Sequence, residues 1–264
     1  MSIIAAILVI SILGLLLGLG LAIADKKLAV EKDAKLVKME GIMPGANCGG
    51  CGYAGCAAYA AAVTSGEAEI GLCSPGGNAL AAKMGEIMGV SVESKERMVA
   101  FVHCNGNSEV TKEAFKYKGI QDCAAAYIVQ AGPNACKEGC IHLGSCMSVC
   151  PAGAIYRDDK NMIKVNPDKC IGCKKCTTVC PTGVIKMIPA SATMVVACNN
   201  HEIGAKVKKN CQVGCIGCKI CQNKFPSSGC VVENFLSKID YSKDTSDLES
   251  ASEACPQKCF VKRG

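Results

Sequence analysis

The cysteines are the residues in this chain whose spacing can do chemistry. Cys48-x2-Cys51-x4-Cys56 is followed by Cys73, Cys170-x2-Cys173-x2-Cys176-x3-Cys180 ends in Pro181, and Cys215-x2-Cys218-x2-Cys221 begins a second run of that kind. A 4Fe-4S cubane needs four thiolates, and two-residue spacers wrap a short loop around three of its corners. The fourth comes from a cysteine followed by proline, which in two-cluster domains serves the neighbouring cluster. A zinc ribbon uses two separated pairs, a pattern these runs do not follow. The chemistry so encoded is one-electron transfer, in which a cluster changes oxidation state and no substrate bond is made or broken. No general acid, base or nucleophile constellation stands beside it, so no catalytic residue is assigned.

An internal repeat sorts the cysteines into sets. Cys146-Met-Ser-Val-Cys150-Pro151 matches Cys176-Thr-Thr-Val-Cys180-Pro181. Each unit reads as ligand loop, short helix, Cys-Pro turn and strand, the symmetric plan of a two-cluster ferredoxin. The first unit is irregular, with Leu143 where a middle cysteine would stand and Cys136-x3-Cys140-x5-Cys146 around it. Cross-ligation then predicts Cys136, Cys140, Cys146 and Cys180 for one cluster, and Cys170, Cys173, Cys176 and Cys150 for another. Cys48, Cys51, Cys56 and Cys73 make a separate set. The third run lacks its first Cys-Pro, where Phe225-Pro226 stands, and its second triplet, where Asp244, Asp247 and Ser250 stand. Only Cys255-Pro256 survives, which predicts one cluster from Cys215, Cys218, Cys221 and Cys255. The expected total is about four clusters.

Six cysteines remain: Cys104, Cys123, Cys198, Cys211, Cys230 and Cys259. Buried small apolar residues are one reading. A fifth cluster drawn from Cys104, Cys123, Cys198 and Cys211 is the other. Its motive is a second echo, in which Val195-Val196-Ala197-Cys198-Asn199 repeats Phe101-Val102-His103-Cys104-Asn105. In the same way Cys211-x3-Cys215 repeats Cys136-x3-Cys140.

Composition agrees with a metal-stapled chain. Cysteine makes up 22 of 264 residues, tryptophan is absent and aromatics are 4%. Disulfides would need an oxidising compartment, whereas iron ligation needs reduced thiolates. Lys and Arg outnumber Asp and Glu 29 to 23, and the surplus lies in residues 137–224, with 13 basic against 5 acidic residues. An oxidised cubane with its four thiolates carries roughly −2, so these lysines partly neutralise the clusters. They could also steer an acidic redox partner. Nucleic acid is the weaker reading and is not expected as a partner, because no basic run is interleaved with stacking aromatics.

The other elements must hold these ligands and place them in the cell. Ile3 to Ala24 is uncharged and long enough to cross a hydrocarbon core of about 30 Å as a helix. Lys26, Lys27, Lys32, Lys35 and Lys38 follow it. The positive-inside rule then puts the C-terminal iron–sulfur part on the cytoplasmic side of the inner membrane, with a single pass. A cleaved signal peptide fits less well, because its n-region would lack Lys and Arg and its apolar run would be too long.

The expected fold is one N-terminal transmembrane helix, then a small α-rich 4Fe-4S domain and α+β bacterial ferredoxin-like modules of the pseudo-two-fold, two-cluster type. The boundaries are 1–25 for the membrane helix, 26–43 for a stalk and 44–80 for the four-cysteine domain. A mainly helical connecting region follows at 81–134, with a short strand delivering Cys104. The two-cluster module takes 135–190, and a degenerate, one-cluster module takes 191–264.

Over nearly its whole length the chain resembles the B subunit of the Rnf complex. The resemblance rests on the N-terminal span, on Gly45-Ala46-Asn47-Cys48-Gly49-Gly50-Cys51-Gly52-Tyr53-Ala54-Gly55-Cys56 and on the ferredoxin modules behind it. It implies an electron-relay arm of a hetero-oligomeric membrane ferredoxin:NAD+ oxidoreductase that moves Na+ or H+. Soluble acidic ferredoxin would be the electron donor, and the flavin and NAD sites would lie on other subunits. Two other readings are a tethered ferredoxin-like subunit of another membrane redox complex, of hydrogenase type, and an iron–sulfur subunit that binds substrate at an open cluster corner.

Overall fold

The computed structural model describes residues 3–28 and 33–263. Helix α1 (Ile3–Leu28) follows the uncharged run. It is long and apolar enough to span a membrane, and none of its Ile7–Ala24 window is buried in the protein. A soluble helix would bury such side chains, at about 1.5–3 kcal/mol each.

Helices α2 (Ala34–Ile42), α3 (Cys56–Ser65) and α4 (Gly77–Met88) build the first unit. Asp33 caps α2 by accepting from Lys35 N at 2.8 Å, and Gly66 and Gly89 close α3 and α4 in the left-handed conformation. Met39, Tyr59, Val63, Leu80 and Met84 interdigitate with Cys73 in one small core. Thus α2, expected as part of a stalk, is packed against the four-cysteine unit. The Tyr59 hydroxyl donates to Glu69 O and accepts from Leu72 N, at 2.9 and 3.1 Å, which braces the loop that returns Cys73.

Among the described residues, eight short strands follow: β1 (Met98–Val102), β2 (Ile155–Arg157), β3 (Ile163–Val165), β4 (Ile185–Pro189), β5 (Met194–Val196), β6 (Cys230–Glu233), β7 (Leu236–Ile239) and β8 (Phe260–Lys262). All pairs are antiparallel: β1 with β4, β2 with β3, β5 with β8 and β6 with β7. The second half therefore repeats the pairing plan of the first. The stretch 81–134 departs from the expected mainly helical region. It has the end of α4, strand β1 and a short helix α5 (Cys123–Ile128), joined by irregular backbone.

Two cores lie against the strands, and cysteines are built into both. Val99, Val102, Ile155, Ile163, Val184, Ile185 and Ile188 pack around Cys140, Cys146, Cys170 and Cys176. Met194, Val196, Leu236, Leu248 and Phe260 pack around Cys215 and Cys221. Where the last module has lost its second ligand set, Phe225, Leu248 and Ala251 fill the same core.

Candidate metal centres

All 22 cysteines are described and all are free thiols. Among the described residues, no three His, Cys, Asp or Glu side chains are gathered to hold a single metal ion. The cysteines after residue 100, Cys230 excepted, instead line cavities in sets, as a polynuclear group requires.

In the first unit, Asn47 Oδ1 accepts from Cys56 N at 2.8 Å and fixes the start of α3 on its ligand residue. Burial, then the neighbouring charges of Cys56, Cys51 and Cys48, raise the Cys73 thiol pKa, so these four form one electrostatic group.

The two-cluster module contains two cavities. Cys150, Cys170, Cys173 and Cys176 line one, the quartet expected from cross-ligation. Ala100 N and Ala154 N donate to the sulfurs of Cys170 and Cys150, at 3.4 and 3.3 Å. Such amide–sulfur bonds favour the thiolate and tune a cluster's potential. Burial, followed by the nearby thiols, pushes Cys176 up to about 12. The second cavity departs from expectation. Cys140, Cys146 and Cys180 line it together with Cys123, not Cys136. Cys136 faces a separate cavity with Cys104, Cys198 and Cys211. The physical reason lies in α5. Cys123 N donates to Ser145 Oγ at 2.7 Å, and Ser145 Oγ donates to Asp122 at 2.8 Å. These bonds clamp the helix start onto Ser145, two residues past Leu143, the position that lacks a cysteine.

In the last module, Cys215, Cys218, Cys221, Cys255 and Cys259 line one cavity. Cys255 precedes Pro256 as Cys150 and Cys180 precede their prolines. Cys259 stands four residues later, where Ala154 and Val184 stand in the earlier units. It is 1% exposed, its sulfur is 3.5 Å from that of Cys255, and it keeps its proton while sharing it with Cys215 and Cys255. That sharing brings Cys215 and Cys255 each down to about 6. Ser237 N donates to Cys215 Sγ at 3.4 Å, and Ser237 Oγ lies 3.2 Å from Cys221 Sγ. No local sequence signal marked Ser237, because it arrives from the opposite hairpin strand. Cys230 stands beside Cys221 on β6 and shares a proton with it.

The histidines are held by protein oxygens. Nδ1 of His103, His142 and His201 faces Val196 O, Asn161 O and Glu138 Oε2 respectively, at 2.9, 3.1 and 2.5 Å.

Known proteins decide the family. The chain is 36% identical to the B subunit of the Na+-translocating ferredoxin:NAD+ oxidoreductase complex of Acetobacterium woodii, over 96% of this chain and 75% of that protein. It is 36% identical to the B subunit of an ion-translocating oxidoreductase complex of Methanosarcina acetivorans, over 98% and 97%. It is 38% identical to a proton-translocating counterpart from Clostridium ljungdahlii, over 98% and 90%. The chain belongs to the B-subunit family of Rnf-type ion-translocating oxidoreductases. Within it, an Fe-S cluster family model matches residues 43–75, and a 4Fe-4S dicluster domain model matches residues 135–187. This Rnf-type B subunit is an iron–sulfur electron-transfer component of a membrane-associated oxidoreductase complex, and the other subunits of that complex are its partners. Its cofactors are multiple 4Fe-4S clusters, which supply one-electron reduction and oxidation. The residues present fit them: sets of free thiols line shared cavities, and several of their sulfurs accept amide hydrogen bonds.

Proposed function

We propose that this chain takes low-potential electrons from a soluble acidic ferredoxin and passes them, one at a time, along a row of clusters to the other subunits. The complex uses that flow to move Na+ or H+ across the membrane. The observation that carries this reading is that successive cysteine sets touch. Gly50, between Cys48 and Cys51, packs on the Cys173 backbone so closely that an added Cβ would lie 2.8 Å from Cys173 O. Cys176 of that second set feels the charge of Cys146 in the next. Each transfer oxidises one cluster by one electron and reduces its neighbour by one, with no bond made.

Two features favour entry at the last module. Cys218 is the exposed member of the 22 cysteines, and Lys219 lines its cavity. The basic surplus of residues 137–224 supplies the complementary field. The expected result is that reduced ferredoxin produces reduced-cluster EPR signals in the full-length chain held in detergent. Lys219→Glu with Lys224→Glu should slow this reduction by roughly tenfold at low salt, with the difference fading as ionic strength rises. Clusters that dithionite reduces but ferredoxin does not would remove the ferredoxin role, and a colourless preparation would remove the relay.

The chain is placed single-pass, with residues after α1 in the cytoplasm, on the lysines that follow the helix. In inverted membrane vesicles, added protease should remove the iron–sulfur part. Protection there, with cleavage in right-side-out vesicles, would reverse the orientation.

A further inference from the structure

We propose that Cys104, Cys136, Cys198 and Cys211 bind a fifth 4Fe-4S cluster, and that Cys123 completes the set of Cys140, Cys146 and Cys180. The inference rests on the relay reading and changes its length and its ligand map.

The four thiols come from two copies of one arrangement. Strand β1 leads through His103 to Cys104, and β5 leads through Ala197 to Cys198. Cys136 stands four residues before Cys140, and Cys211 four residues before Cys215. Each half of the protein thus contributes one cysteine after its first strand and one before its ligand loop. The two pairs face each other across one cavity between the halves. A bare glycine sits beside each pre-loop cysteine. A Cβ on Gly139 would lie 3.4 Å from Cys136 Sγ and 3.5 Å from Cys104 Sγ, and one on Gly214 would lie 3.7 Å from Cys211 Sγ.

Three of the sulfurs receive hydrogen bonds. Asn200 Nδ2 donates to Cys136 at 3.2 Å, Thr111 Oγ1 to Cys211 at 3.5 Å and Cys215 N to Cys198 at 3.3 Å. These match the amide–sulfur bonds at the other sets. The cavity is partly open to solvent and is of the same kind as the two in the ferredoxin module and the one in the last module.

The charge balance is that of any cubane site: four thiols release four protons, and four thiolates with a 2+ core leave −2. The site also joins the relay. Cys140 lines both this cavity and the next one in the ferredoxin module. On the other side, Cys198 accepts from the backbone of Cys215, a residue of the last set. The fifth cluster therefore lies between the two halves, and electrons entering at Cys218 cross it.

Iron and acid-labile sulfide per full-length chain, purified anaerobically in detergent, test this. The wild type should hold about 20 irons, and full reduction should give five spins by EPR integration. Cys198→Ala should lower iron to about 16, and Cys136→Ala with Cys198→Ala should also leave about 16, because both residues serve one cluster. Cys136→Ala with Cys180→Ala should leave about 12, whereas Cys123→Ala with Cys180→Ala should leave about 16. A wild type with about 16 irons and four spins overturns the inference while leaving the relay standing. So does a loss of only one cluster from the Cys136 and Cys180 pair, or zinc in place of iron. The wild-type spin count decides the matter even if a variant fails to fold. A wild type without iron would overturn the relay itself.

Discussion

Gly172→Ala should empty the Cys150, Cys170, Cys173 and Cys176 site, removing about four irons per chain, while Gly183→Ala should leave the iron content unchanged. Both glycines have left-handed backbone, with φ of +67° and +62°. That conformation costs an alanine about 1–2 kcal/mol at either place. The surroundings separate them. A Cβ at Gly172 would lie 2.8 Å from Met98 O and 3.2 Å from Ser74 Cβ, whereas nothing lies within 4 Å at Gly183. Met98 is paired with Pro189 and cannot withdraw without opening the β1–β4 ladder. Overpacking of this kind adds about 1–3 kcal/mol. The sum, about 2–5 kcal/mol, is a large part of an ordinary domain's stability. Iron analysis with thermal melting would check the pair. Equal losses would mean that strain alone governs the loop, and equal retention would mean that β1 yields.

Gly50→Ala should uncouple the first cluster from the second while both stay bound. Gly50 has an ordinary backbone conformation, so its cost comes from contact alone. The added Cβ would meet only backbone, with Cys173 O, Cα and C at 2.8, 3.1 and 3.2 Å. Backbone cannot rotate away as a flexible side chain can, so the two loops must separate, at about 1–3 kcal/mol. The expected signature is full iron content, sharper EPR lines as the magnetic interaction between neighbouring clusters weakens, and slower arrival of electrons at the first unit. Unchanged line shapes would show that the loops take up the Cβ without separating, and unchanged electron arrival despite separation would show that electrons do not pass between these loops.

Sequence spacing reached as far as local geometry reaches. Triplets such as Cys170–Cys176 and Cys215–Cys221 close on themselves within a few residues, so their grouping follows from spacing alone. Cys-Pro pairing required only the symmetric ferredoxin plan. That Cys123, not Cys136, would line the cavity of Cys140, Cys146 and Cys180 was illegible for the opposite reason. It depends on Asp122 and Cys123 N meeting Ser145, more than twenty residues away, after an irregular excursion of the chain. The echo of Cys104 by Cys198 was visible as a pattern, but not that the two copies would face each other. The packing of α2 was likewise hidden, because Met39 reads the same in a stalk as in a core until Tyr59 and Met84 are seen against it.

The strand pairing has a consequence for how the protein is made. Val102 pairs with Ile185, about 80 residues later, and Val196 with Phe260, about 60 residues later. At roughly 5–20 residues per second of translation, the first ladder waits about 4–16 s for its partner to be synthesised. During that interval β1 lacks its partner strand, so the core that encloses Cys140, Cys146, Cys170 and Cys176 is incomplete. The second ladder closes only after Phe260 has been synthesised. The ligand sets of each half are therefore enclosed only after its last strand has arrived.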